Sequence, residues 1–149
     1  RDCLLSRGLG DVYKRQIYFR MHTEADKYLS KEVQNRKDVD YDRPFRVQTT
    51  LKEGDVLDIG GYRIYVEEDC VKADRSRVFG NRKNYRMVSS TPQLKGSYGL
   101  DIVVDKNLIE IFVNNGEYVI SNVVYNLQRE LTGPIEKILA GWDDENEKK

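Results

Sequence analysis

The residues best equipped for chemistry in this 149-residue chain are a run of carboxylates beside a thiol, Glu67-Glu68-Asp69-Cys70, a single histidine, His22, and a small basic group, Arg82, Lys83 and Arg86. Paired carboxylates do acid and base work when one is framed to hold a proton while its neighbour stays ionised. A thiol or hydroxyl beside a histidine makes a nucleophile, and clustered arginine and lysine can meet a phosphorylated sugar. Each group has a plainer reading. Glu67-Glu68-Asp69 falls where two apolar runs need a turn, and charged turns are ordinarily just solvated. Cys70 reads as a small buried hydrophobe, His22 as a surface histidine, and the basic group as part of a solvated loop. Metal-ligand spacing, a phosphate-cradling Gly-rich loop and an Asn-x-Ser/Thr acceptor are all missing from the sequence. No catalytic residue, cofactor site or metal site is therefore expected.

The elements that would position these groups read as strands. Leu100, Ile102 and Val104 alternate with Asp101, Val103 and Asp105, and Ile109, Ile111 and Val113 alternate with Glu110 and Phe112. Alternation at period two gives each strand an apolar face. Asp105-Lys106-Asn107 and Asn114-Asn115-Gly116 punctuate the run, and an Asn-Gly pair tolerates the positive φ angles of a tight hairpin. Strands over about 100–104, 108–113 and 117–125 are expected to form a meander. Upstream, Phe45, Val47 and Thr49 alternate with Arg46, Gln48 and Thr50, and Lys52-Glu53-Gly54-Asp55 turns into Val56–Ile59. Gly60-Gly61 turns into Tyr62–Val66, and the chain returns through Cys70 to Asp74. Further strands are expected at Tyr85–Ser89 and, after the breaker Thr132-Gly133-Pro134, at Ile135–Trp142.

Composition narrows the function classes. Lys and Arg number 25 and Asp and Glu 25, so the formal charge is zero and there is no electrostatic case for nucleic-acid binding. No apolar stretch approaches a membrane span. Tyrosine is abundant beside few Phe and Trp. It suits half-buried strands and sugar contact equally, so it does not discriminate between them.

The run Leu100-Asp101-Ile102-Val103-Val104-Asp105-Lys106-Asn107-Leu108-Ile109-Glu110-Ile111-Phe112-Val113-Asn114-Asn115-Gly116-Glu117 resembles the C-terminal β-sandwich of glycoside hydrolase family 32, the invertase, sucrose-6-phosphate hydrolase and fructanase group. A second landmark, Asp74-Arg75-Ser76 after Gly61-Tyr62-Arg63-Ile64-Tyr65-Val66, is similar to that family's Asp-Arg-Ser strand end. The resemblance covers roughly Arg43 to Leu127, with the motif residues Asp74, Arg75, Ser76, Asp105, Glu110, Phe112, Asn114 and Gly116 in a structural role. For Asp74-Arg75-Ser76 that role is expected to be side-chain hydrogen bonds or an ion pair closing a strand end. The resemblance implies an all-β, antiparallel β-sandwich of jelly-roll or concanavalin-like type, behind a short irregular or partly helical connector. It also implies that catalysis belongs to an N-terminal five-bladed propeller with an Asp nucleophile, a stabilising Asp and a Glu acid/base. The three motifs that carry those residues are absent from this sequence, and Glu67-Glu68-Asp69-Cys70 has Asp between Glu and Cys where the family's acid motif has none. Retaining hydrolysis needs two carboxyl groups about 5 Å apart across the scissile bond.

The first sixteen residues resemble a translated sequencing-adapter leader and are set apart as non-native. Without them Arg1, Arg7, Lys14 and Arg15 go, as do Asp2 and Asp11, leaving 21 basic and 23 acidic residues and a formal charge of −2. Cys70 is then the one cysteine left, which makes a reducing compartment acceptable. Residues 17–43 read as a connector from a missing catalytic propeller, in which Thr23 could cap a helical turn or two with Ala25, Leu29 and Val33 on one stripe. Residues 44–142 are the sandwich and 143–149 a flexible tail. The expected partners are the propeller, a sucrose or other fructoside substrate through the parent enzyme, and homo-oligomer contacts, with no nucleic acid and no membrane. A bacterial cytoplasmic location is expected over secretion. The competing reading is a free-standing carbohydrate-binding module in which Tyr62, Tyr65, Tyr85, Tyr98, Tyr118 or Tyr125 stacks on sugar.

Overall fold

A computed structural model describes residues 28–80, 84–95 and 98–141 of the chain. His22, Arg82, Lys83 and Trp142, the leader and the tail lie outside the described residues. Eleven strands follow in order: β1 Leu29–Glu32, β2 Phe45–Leu51, β3 Val56–Ile59, β4 Tyr62–Glu67, β5 Cys70–Asp74, β6 Val88–Ser90, β7 Tyr98–Asp105, β8 Leu108–Val113, β9 Tyr118–Val123, β10 Leu131–Thr132 and β11 Lys137–Gly141. They form two sheets in which every pairing is antiparallel, a six-stranded one in the order β1-β11-β2-β7-β8-β9 and a five-stranded one in the order β10-β3-β4-β5-β6.

The alternation read from the sequence is what glues the sheets together. Phe45, Val47, Leu51, Leu100, Ile102, Val104, Ile109, Ile111 and Ile120 line the inner face of one sheet, and Leu57, Ile59, Tyr62, Ile64, Val71 and Ala73 that of the other, all buried. Burying each large aliphatic or aromatic side chain contributes about 1.5–3 kcal/mol before chain entropy is counted. The meander forms as expected, and β3, β4 and β5 occupy the expected residues. Glu68 and Asp69 take φ of 53° and 63°, the mirror-image turn that joins β4 to β5.

Three expectations are corrected. Leu29–Glu32 is a strand on the edge of the six-stranded sheet, where a helical stripe through Leu29 and Val33 was one reading; the hydrogen-bonding edge of β11 outweighs a weak local period. Thr23 and Ala25 lie outside the described residues; from Leu29 to Pro44 the described helical turn is a 3-10 turn at Arg36–Asp38, capped by the Asn35 side chain, which accepts from the Lys37 N–H. The strand expected from Tyr85 begins only at Val88; ahead of it the Arg75 N–H donates to the Met87 carbonyl, and the Arg86 carbonyl accepts from the Arg75 Nε. A short strand, β10, precedes the Gly133-Pro134 breaker. Gly133 stands at φ 109°, with space for no β-carbon, since one would lie 2.3 Å from the Val56 carbonyl oxygen.

Candidate functional site

The Asp74-Arg75-Ser76 corner is where the two sheets are laced together. At the end of β5, Asp74 Oδ1 accepts from the Ser76 N–H at 2.8 Å, turning the chain out of the strand. The Arg75 guanidinium then spans the sandwich, donating from Nε to the Arg86 carbonyl at 2.9 Å and from a terminal nitrogen to the Val123 carbonyl at 3.0 Å. Val123 is the last residue of β9, so one side chain joins the five-stranded sheet to the six-stranded one. Its carbon centre also rests 3.7 Å from the middle of the Phe79 ring. Tyr85 packs edge-on against Phe79 at 5.4 Å and Tyr125 lies tilted against it at 5.6 Å. Next to this corner, Asp58, Arg77, Gln128 and Glu130 line an open polar groove of about 460 Å³.

The other motif residues are strung along the β7–β8 hairpin and do not converge. Asp105 ends β7, exposed beside the tight turn to Leu108. Glu110 and Phe112 point from β8 onto the outer face of the six-stranded sheet, where Glu110 accepts from Ser121 Oγ at 3.3 Å and Phe112 is buried. Asn114 closes the far end twice over: its N–H donates to the Gly99 carbonyl at 2.8 Å, and its Oδ1 accepts from the Gly99 N–H at 3.2 Å. Asn114, Asn115 and Gly116 all take positive φ, which explains that run of residue types.

The remaining candidates are dispersed. Glu67 pairs with Lys72 at 2.9 Å, and that hydrogen bond raises the half-buried Lys72 ammonium pKa above its ordinary value. Asp69 lies 3.5 Å from the Tyr98 hydroxyl, Cys70 is half-buried, and Arg86 contributes its carbonyl to the Arg75 corner. Among the described residues, no group of three or more His, Cys, Asp or Glu side chains is placed to hold a metal ion. Of the six tyrosines considered for sugar stacking, Tyr62 and Tyr98 are core residues, Tyr65 and Tyr118 are half-buried, and only Tyr85 and Tyr125 are exposed, by 56% and 37%.

Two polar features escaped the sequence reading. Arg46 on β2 forms a buried ion pair with Asp101 on β7, which Gln48 also approaches at 3.3 Å. Between the sheets, the Tyr62 hydroxyl donates to Asn122 Oδ1 at 2.6 Å, and Asn122 donates on to Ser89 Oγ. Burial raises the Tyr62 pKa far above the usual phenol value and pushes Tyr41 up to about 12, Glu130 adding to the latter and Arg129 opposing it. An Arg in one strand and an Asp in another, 55 positions away, announce themselves only once β2 and β7 are known to be neighbours.

The fold and its laced corner define an antiparallel β-sandwich domain, held by interstrand contacts. Residues 19–134 match the model of the glycosyl hydrolases family 32 C-terminal domain, and the chain belongs to that family. Its fold is similar to part of sucrose-6-phosphate hydrolase from Lactobacillus gasseri, at 15% identity and a TM-score of 0.62, over 80% of this chain and 30% of the enzyme. It is similar also to part of exo-inulinase from Aspergillus awamori, at 15% identity and a TM-score of 0.51, over 66% of this chain and 24% of that one. The chain thus spans less than a third of either enzyme. A search of curated protein sequences returns no match.

Proposed function

We propose that this chain is the non-catalytic C-terminal sandwich of a β-fructosidase and that it stabilises a catalytic propeller. The parent reaction would be retaining hydrolysis of the fructosyl bond in sucrose or sucrose-6-phosphate, in a bacterial cytoplasm. The observation that carries the reading is the family match over residues 19–134, since it covers the laced corner and the whole β7–β8–β9 meander. The placement of five described carboxylates supports it: Glu67, Asp69, Asp74, Asp101 and Glu110 each serve a turn, a strand end or a cross-strand contact. The test is to incubate the purified chain with sucrose and with sucrose-6-phosphate and follow fructose release. None is expected, whereas turnover that survives repeated purification would sink the proposal. Extending the source reading frame upstream of Ile17 should meet a propeller carrying a nucleophile and an acid/base.

One observation favours a second reading, a carbohydrate-binding module. Tyr85 and Tyr125 present exposed rings, braced on Phe79 beside the groove of Asp58, Arg77, Gln128 and Glu130. Titration with sucrose, levan and inulin, read by tyrosine fluorescence, separates the two. A flat response at high sugar concentration removes the module reading.

A further inference from the structure

The two sheets expose four edges, and three are protected against pairing with another chain. β10 has two residues and β6 three, too short to template a partner, while β1 carries Lys31 and Glu32 and an irregular register between Leu29 and Lys31. Shortness, charge and bulging are the devices by which natural sheets close their edges. β9 has none of them. It runs for six residues, Tyr118-Val119-Ile120-Ser121-Asn122-Val123, without a charge, a proline or a bulge.

Register shows which of its main-chain groups face outward. The Val124 N–H donates inward to the Asn107 carbonyl, whereas the Val123 carbonyl accepts from Arg75 on the outer side. In a strand these directions alternate, so Tyr118, Ile120 and Asn122 bond to β8, and Val119, Ser121 and Val123 face away. Arg75 already occupies Val123. Among the described residues nothing bonds to the outward N–H and C=O groups of Val119 and Ser121.

We propose that β9 pairs antiparallel with β9 of a second copy of this chain, about a two-fold axis at Ile120. Val119 then faces Ser121 of the other copy, and Ser121 faces its Val119, giving four main-chain hydrogen bonds and one continuous twelve-stranded sheet. A second copy fits better than an unrelated strand because the rows match across the seam. Glu110 lies beside Ser121 and Phe112 beside Val119, so each row leads from a carboxylate in one copy to a phenyl ring in the other. No like charges face each other. The side chains beside the seam, Val119, Ser121 and the exposed Val123 and Leu108, are small or apolar. A contact limited to one strand edge is small for a protein interface, so the dimer is weak, with a dissociation constant of roughly 0.1–1 mM.

The test is sedimentation equilibrium of the full chain in reductant up to about 1 mM, with amide hydrogen exchange across the same range. The mass should climb from one chain toward two, and the Val119 and Ser121 amides should become protected as it does. Ser121→Pro removes an outward N–H and no main-chain hydrogen bond within the chain, a substitution that edge strands accept; the Ser121 hydroxyl contact to Glu110 goes with it, as it does in Ser121→Ala. It should hold the chain monomeric with its circular dichroism unchanged, while Ser121→Ala, which keeps the N–H, should dimerise as before. Val119→Lys, which places a charge on the edge, should also be monomeric and serves if Ser121→Pro fails to fold. A mass that stays at one chain throughout, a dimer indifferent to these substitutions, or edge amides protected independently of concentration would each overturn the proposal.

Discussion

Replacing Arg75 with alanine is the sharpest probe of how this sandwich is held. Arg75 donates to two carbonyls on different segments, Arg86 at 2.9 Å and Val123 at 3.0 Å, and covers the Phe79 ring at 3.7 Å. A hydrogen bond from a charged donor is worth about 1.5–3 kcal/mol when buried, but these are partly exposed, so about 1 kcal/mol each is the fair figure. The stacked guanidinium adds about 0.5–1 kcal/mol at a partly exposed site. The alanine variant should therefore lose about 2–3 kcal/mol, lowering the melting temperature by roughly 5–15 °C for a domain of this size. Urea unfolding followed by circular dichroism measures the loss, and an unchanged slope would show that the compactness of both states is preserved. Arg75→Lys keeps the charge but has no planar fork with which to reach both carbonyls, so it should recover at most about half. The reasoning is refuted if alanine costs less than about 0.5 kcal/mol, or if lysine restores wild-type stability.

Two further substitutions test the buried polar groups. Arg46→Ala removes the guanidinium that pairs with the nearly buried Asp101 carboxylate and should cost about 3–5 kcal/mol by urea unfolding; replacing both partners with apolar residues should recover most of it. Tyr41 keeps its ring edge-on to Phe45 at 5.3 Å, yet its buried hydroxyl has no hydrogen-bond partner. Tyr41→Phe should thus be neutral or stabilising by up to about 1 kcal/mol, which thermal melts will show. Because the Tyr41 pKa in the fold, about 12, lies above its ordinary value of 10.0, its contribution is whole below pH 10 and is lost as pH rises toward 12. Alkaline unfolding should accordingly occur at higher pH in Tyr41→Phe than in the parent, and an unchanged midpoint would contradict the assignment.

Much of the architecture was legible because it is local. A strand with one buried face writes its period of two directly into the residues, as in Leu100-Asp101-Ile102-Val103-Val104, and a turn needing positive φ calls for Asn-Asn-Gly. Those two rules set β3, β4, β5 and β8 to within a residue or so. The motif around Asp74-Arg75-Ser76 was also visible as a motif, with a strand-closing role expected for it.

What tertiary structure alone decided is everything that depends on which strand lies beside which. Leu29–Glu32 became a strand because β11 offered it an edge, and the Arg86 carbonyl, just ahead of β6, meets the Arg75 side chain instead of a neighbouring strand. The partners of Arg75 on β9 and of Arg46 on β7 lie 48 and 55 positions away. The physical reason is the same throughout: side-chain alternation is a property of a few consecutive residues, whereas sheet order and the pairing of buried charges are settled by contacts between residues the chain holds far apart.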